Sequence, residues 1–259
     1  MTASVIILVL LSALFHAFWN YLSKVSYSPQ LFLAWVAIVN IAISIAVFLV
    51  RTPVIPSSIW VYIIASGIVH FFYLVSLSQA YTSGEISYVY PIARSAPGLI
   101  PIFAVLILHE KISWQGILGI SCTLVSVYMF IQPEGLWTLP KLLEYLKKPE
   151  AIWSFSTLGT IIVYSILDKK GMSEFYNQVG GSDIVNAVVY LLAESLLSAG
   201  LYVGYVFYRF PWREIVTIGQ HSGVQIFIST LLKISSYSLI LYALMTESVS
   251  YISAIRQFS

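Results

Sequence analysis

"VYPIARSAPGLIPIFAVLILHE", from Val89 to Glu110, is apolar enough to cross a bilayer, yet it holds Arg94 together with Pro91, Pro97 and Pro101. Proline lacks a backbone donor and clashes with the carbonyl four residues earlier, so Pro97 and Pro101 predict a kinked or broken helix with freed carbonyls. Irregular backbone at membrane depth persists only against protein or a water-filled cavity. An arginine beside such a break has water within reach, and its planar fork suits a carboxylate or phosphate. The alternative is a helix bent for packing alone, with Arg94 paired to a neighbour.

The rest of the chain supplies the membrane. Of 259 residues 59% are hydrophobic and only 9% charged, against roughly 25% charged in a soluble domain. Mean hydropathy is +0.87, so the chain reads as an all-α integral membrane protein. Its 18 Tyr and 7 Trp suit headgroup-level belts and a wet interior. A net charge of +2 with scattered basic residues excludes a nucleic-acid binder. One cysteine, Cys122, excludes an internal disulfide framework.

Windows of about 20 apolar residues fall at 3–23, 31–50, 58–80, 86–108 and 114–132, then at 151–168, 184–208 and 222–245. A further span starts at Val249 and stops at Ser259. The expectation is eight complete transmembrane helices and a partial ninth. Residues 1–133 form a first unit, 134–150 a linker and 151–259 a second unit. Within the linker, Leu142, Leu143, Tyr145 and Leu146 beside Lys141, Lys147 and Lys148 fit a helix lying on the membrane surface, or equally a solvated connection.

The two units echo each other. "SQAYTSGEISYV" (Ser78 to Val89) aligns with "ILYALMTESVSYI" (Ile240 to Ile252), setting Ala80, Ser87 and Tyr88 opposite Ala243, Ser250 and Tyr251. "WNYLSK" (Trp19 to Lys24) answers "YSILDK" (Tyr164 to Lys169). Five spans per unit is an odd number, so the second copy enters the membrane in the opposite sense, the inverted-topology arrangement of transporters. On this reading the second repeat stops short of its full set of spans at Ser259.

Polar side chains recur at helical spacing along single faces. The first span offers Ser12, His16, Trp19, Asn20 and Ser23; the third offers Ser66, His70 and Tyr73. The seventh offers Asn186, Tyr190, Glu194 and Ser198, and the eighth Gln225, Ser229, Lys233, Ser236 and Tyr237. These faces line one central cavity, or the hydroxyls merely join helices at about 1 kcal/mol each. Charges at Arg94, Glu194, Lys233 and Arg256 are harder to explain that way, since a central charge costs about 2.5–3.5 kcal/mol. A Glu194–Lys233 ion pair is the structural alternative. Counted as one acid, Glu194, against three cations, the spans favour an anionic group on the substrate. Trp19, Tyr73, Tyr88 and Tyr237 are candidates for its apolar part, and Glu194 or His16 for a group that changes charge. No hydrolase, zinc, phosphate-loop or dinucleotide motif is present.

Three stretches carry a resemblance. "HAFWNYLSK" (His16 to Lys24), a proline-rich fourth span ending in "HEKIS" (His109 to Ser113), and "WQGILGISCTLVSVYMF" as the fifth resemble the EamA-type members of the drug/metabolite transporter superfamily, along essentially the whole chain. The resemblance implies a bundle of two inverted five-helix repeats in the cell (inner) membrane. It implies a secondary transporter, not an enzyme, that exports a small metabolite by alternating access. No cofactor or metal is implied, and a homodimer is compatible with it. Glu110 takes the place of the acidic residue ending the fourth helix and Gly119 that of a packing glycine, while Ser126 stands where a second glycine is usual. A membrane scaffold without transport activity, or a homologue that works only with a partner, is the competing expectation.

Overall fold

The computed structural model describes residues 1–83, 92, 95–131 and 149–256, without the side chains of 123, 124, 126–131, 149 and 150. Tyr88, Arg94, Pro91 and the proposed surface helix of the linker lie outside the described residues. Nine α-helices are described: α1 (Ala3–Val25), α2 (Pro29–Arg51), α3 (Trp60–Ser83), α4 (Ala96–Leu108), α5 (Trp114–Ile131), α6 (Pro149–Val179), α7 (Ile184–Arg209), α8 (Trp212–Thr246) and α9 (Val249–Arg256). Six of them, α1 to α3 and α6 to α8, are long and apolar enough to cross a membrane. α4 is a shorter apolar helix.

Local chemistry sets the ends. Thr2 caps α1 through its hydroxyl, Pro29 opens α2 at a position whose N–H has no helical partner, and the Asp183 carboxylate accepts from Val185 N at 2.8 Å to cap α7. α6 ends at Gly180, whose φ of +80° favours glycine. Pro97 sits in the first turn of α4 and Pro101 inside it, so the proline-rich segment does start a new helix. That helix closes at His109 in the left-handed region, with Glu110 N bonded to Ala104 O.

Two boundaries differ from the hydropathy windows. α6 continues eleven residues past the expected end at 168, because Met172 and Phe175 bury themselves in the core and Gln178 reaches Ser58. α8 begins well before 222 but turns at Ser222, where φ and ψ leave helical values. The hydropathy window therefore marks the straight segment after the kink.

The distribution of polarity is that of a bundle in lipid. On α1, Ile7, Leu10, Leu14 and Phe18 are exposed, while Ser12, His16, Trp19, Asn20 and Ser23 are buried. Polar residues turn inward because hydrocarbon offers them no partner. α1 packs on α8, α3 on α6 and α2 on α7, with further contacts of α3 with α7, α8 with α2, α4 with α6, and α9 with α1 and α4. Exchanging the halves maps these contacts onto themselves, α1 on α8 answering α6 on α3 and α3 on α7 answering α8 on α2, whereas the packing of α6 on α8 has only a weak counterpart between α1 and α3.

Candidate functional site

The inward faces of α1, α3, α6, α7 and α8 meet around one buried carboxylate. Asp168 is 0% exposed and accepts from Ser66 Oγ at 2.5 Å, from Tyr190 OH at 3.0 Å and, by a short bond, from Tyr237 OH. Three hydroxyl donors suit an acceptor-only group removed from water. Tyr190 can reach it because α6 carries Gly171 one turn on: a Cβ there would sit 2.8 Å from the Tyr190 hydroxyl. Sequence reasoning missed Asp168 and counted Glu194 as the one acid of the spans. Among the described residues the buried acids of the spans are two, Asp168 and Glu194. The signal was available, since Asp168 stands opposite Ser23 when "YSILDK" is set against "WNYLSK", and Ser23 lies on the polar face of the first span.

His70 extends the cluster. Ser66 Oγ gives its proton to Asp168, so its lone pair and the Ser66 carbonyl are the acceptors for His70 Nδ1–H, both at 3.1 Å. The ring stacks on Tyr164 at 4.1 Å between centroids. Glu194, 3% exposed, places Oε1 at 3.4 Å from His70 Nδ1. That oxygen is buried and has no hydrogen-bond partner among the described residues. Among the described residues Glu194 makes no ion pair with Lys233; the Met1 amino group pairs with Glu247, and beside Glu194 stands His70 Nδ1, whose proton is directed to Ser66.

At the other side of the ring cluster, Arg256 Nη2 and Trp19 Nε1 both donate to His16 Nδ1, at 3.0 and 3.2 Å. Two donors on one nitrogen require a lone pair there, which makes His16 neutral with its proton on Nε2. The Arg256 guanidinium lies 5.4 Å from the centre of the Tyr237 ring, within cation–π range. Asn20 is fully engaged, donating to His16 O and accepting from Tyr81 OH, each at 2.8 Å.

Two cavities adjoin along this wall, of about 780 Å³ and 460 Å³ of empty space counting the part open to solvent. They share His16, Tyr73, Tyr164, Tyr237 and Arg256. The larger reaches Ala96 and Pro97 at the start of α4, so the proline break does face a cavity. The smaller holds Trp19, His70, Glu194 and Lys233. Among the expected site residues, His16, Trp19, Asn20, Tyr73, Glu194, Lys233, Tyr237 and Arg256 thus converge. Tyr190 lies behind the wall, on Asp168. Asn186 is half-buried in the first turn of α7, apart from both cavities. Tyr88 and Arg94 fall outside the described residues.

One further expectation is corrected. Gln225 is exposed rather than cavity-facing, because twelve residues at 3.6 per turn set it about 120° around the helix from Tyr237. On α5 a close approach is seen at Gly116, where a Cβ would lie 3.0 Å from the Tyr251 ring. Glu110 keeps an identifiable role. Its carboxylate accepts from Val249 N at 2.8 Å, from Ser250 N at 3.3 Å and from Ser250 Oγ at 2.6 Å, capping α9.

A family model described as the EamA-like transporter family matches residues 3–132. A solved structure titled "Crystal structure of protein" is similar in fold, with a TM-score of 0.54 and 18% identity over 99% of this chain and 96% of that one. No curated protein matches the sequence.

Proposed function

The chain belongs to the EamA-like transporter family, and from that premise we propose that it exports a small amphipathic anion by alternating access, with residues 1–133 and 151–259 moving as two inverted repeats about the paired cavities. One observation carries the substrate class. Among the described lining residues of the larger cavity, Arg256 is the single side chain with a permanent charge, and Tyr73, Tyr81, Tyr164 and Tyr237 surround the same space. Aromatic walls accept a flat apolar body, and a guanidinium fixes one carboxylate or similar anionic end. The corrected acid count matters here: Asp168 is engaged by three hydroxyls, so it leaves Arg256 to set the charge of the larger cavity. The exchange symmetry of the helix packing supports two repeats as the moving units.

The test is counterflow in liposomes containing the purified chain, loaded with unlabelled phenylpyruvate and offered labelled phenylpyruvate, an aromatic carboxylate ionised throughout the working range. Exchange is expected, with neutral phenylethanol failing to compete. Arg256→Gln should weaken apparent affinity by about 10–100-fold, the loss of a hydrogen bond to a charged group. Equal competition by the neutral analogue, or full affinity in R256Q, would remove the anion assignment.

A further inference from the structure

The smaller cavity contains a defect that the export reading does not use. Glu194 is 3% exposed and its Oε1 is buried with no donor among the described residues, although a buried carboxylate needs donors on its lone pairs. His70 Nδ1, at 3.4 Å, has its proton directed to Ser66. Asp168 shows the opposite arrangement, with every donor it needs. Of the two carboxyl groups buried in the core among the described residues, one is therefore complete as an anion and the other is complete only with something added at Oε1.

We infer that Glu194 is a proton-binding site whose proton is taken up together with the anionic substrate, which makes the transporter a proton–anion co-transporter. This rests on the anion-export reading above and adds the coupling ion to it. The proton comes from hydronium in the cavity water: one of its O–H bonds breaks as an O–H bond forms on Glu194 Oε1, and a neutral water molecule is left. The surroundings give the direction of the linkage. α3 contributes His70, α6 contributes Asp168 and Tyr164, and α8 contributes Lys233 and Tyr237. From α9 comes Arg256 and from α1 His16, on the far side of the same cavity; α7 itself adds Tyr190. α2, packed on the back of α7, has no titratable side chain before Arg51 in its last turn.

With the cavity empty, Lys233 and Arg256 offset the charges of Glu194 and Asp168. An anion entering beside Arg256 and Lys233 removes that offset, and the added negative charge favours the protonated form of Glu194. Linkage is reciprocal, so a protonated Glu194 raises the affinity for the anion by the same factor. Each exported anion then leaves with a proton. Tyr237 and His70 stand between the two sites: the Tyr237 ring lies under Arg256 and 5.3 Å from the His70 ring, whose Nδ1 is 3.4 Å from Glu194 Oε1.

The experiment compares counterflow with gradient-driven uptake of labelled phenylpyruvate in the same proteoliposomes, protein-free liposomes serving as blank. For one-to-one coupling, an acidic exterior should drive accumulation about tenfold per pH unit. Glu194→Gln, a permanent mimic of the protonated form, should make counterflow independent of pH and abolish the pH-driven accumulation. Glu194→Asp should restore the pH drive. A second readout needs no transport: adding phenylpyruvate to the unbuffered protein in detergent should withdraw one proton per bound anion in the native chain and none in E194Q. Counterflow without pH drive and without proton uptake in the native protein would overturn the co-transport inference and leave the export reading standing. Absence of counterflow for phenylpyruvate would overturn both.

Discussion

Lys24 near the end of α1 donates to the carbonyl of Tyr81 at 2.8 Å, and Lys169 in α6 donates to the carbonyl of Leu244 at 2.8 Å. One alignment pairs the two lysines and the other pairs the two acceptors, so the halves repeat one contact between their first and third helices. One residue earlier they part. Ser23 Oγ returns to Trp19 O within its own helix at 2.8 Å, whereas Asp168 gathers Ser66, Tyr190 and Tyr237 from three other helices. The same register sets His70 opposite Lys233. Framing contacts are thus shared, while among the described residues the buried carboxylates belong to the second half alone. A duplicated frame needs the same backbone contacts twice, but a single pathway needs its charges once.

The strongest way to break this comparison is at the point of divergence. Asp168→Ala would leave three buried hydroxyls without an acceptor, at about 1–3 kcal/mol each before relaxation, so a loss of at least about 3 kcal/mol is expected. Ser23→Ala should cost about 1 kcal/mol or less. Thermal unfolding in detergent reads both, and equal losses would mean that the two positions do the same job. The shared contact gives the next test. Lys24→Met and Lys169→Met should each cost about 1.5–3 kcal/mol, the range for a hydrogen bond from a charged donor. A large disparity between them would show that one lysine serves a purpose the other lacks.

A smaller effect is expected at Gly171, where an alanine would push on Tyr190 and Tyr62. Overpacking of that kind costs about 1–3 kcal/mol, and the phenol of Tyr190 should lose its bond to Asp168, visible as a changed tyrosine signal in ultraviolet difference spectra. An unchanged signal would show that α6 gives way instead. Smallest is Glu110→Gln, which weakens the cap of α9 by about 1 kcal/mol. Its expected sign is early exchange of the Val249 and Ser250 amides.

The span positions and the inward face of α1 were legible because hydrocarbon enforces both: a span needs its length of apolar residues, and polar side chains at i, i+4 and i+7 have one side on which to hide. Ser12, His16, Trp19, Asn20 and Ser23 are all buried on that face. Which charges meet was not legible. Glu194 and Lys233 lie on adjacent helices at plausible depth, but the packing of α3 against α7 brings His70 to Glu194 instead. Partner choice depends on helix rotation and crossing, quantities that no single-helix spacing contains. Asp168 failed for a narrower reason: it sits beside Lys169 and Lys170, so it reads as the polar edge of a span. The helix runs on to Val179 and carries it inside.

Glu110 supplies a mechanical corollary. It stands one residue past the left-handed turn that ends α4, and its carboxylate holds the first two N–H groups of α9, which also packs along α4. The two short helices are thereby clamped into a single strut that carries both Pro97 and Arg256 into the lining of the larger cavity. Any tilt of that strut moves the proline-edged rim of the cavity and its guanidinium together, so the two share one hinge.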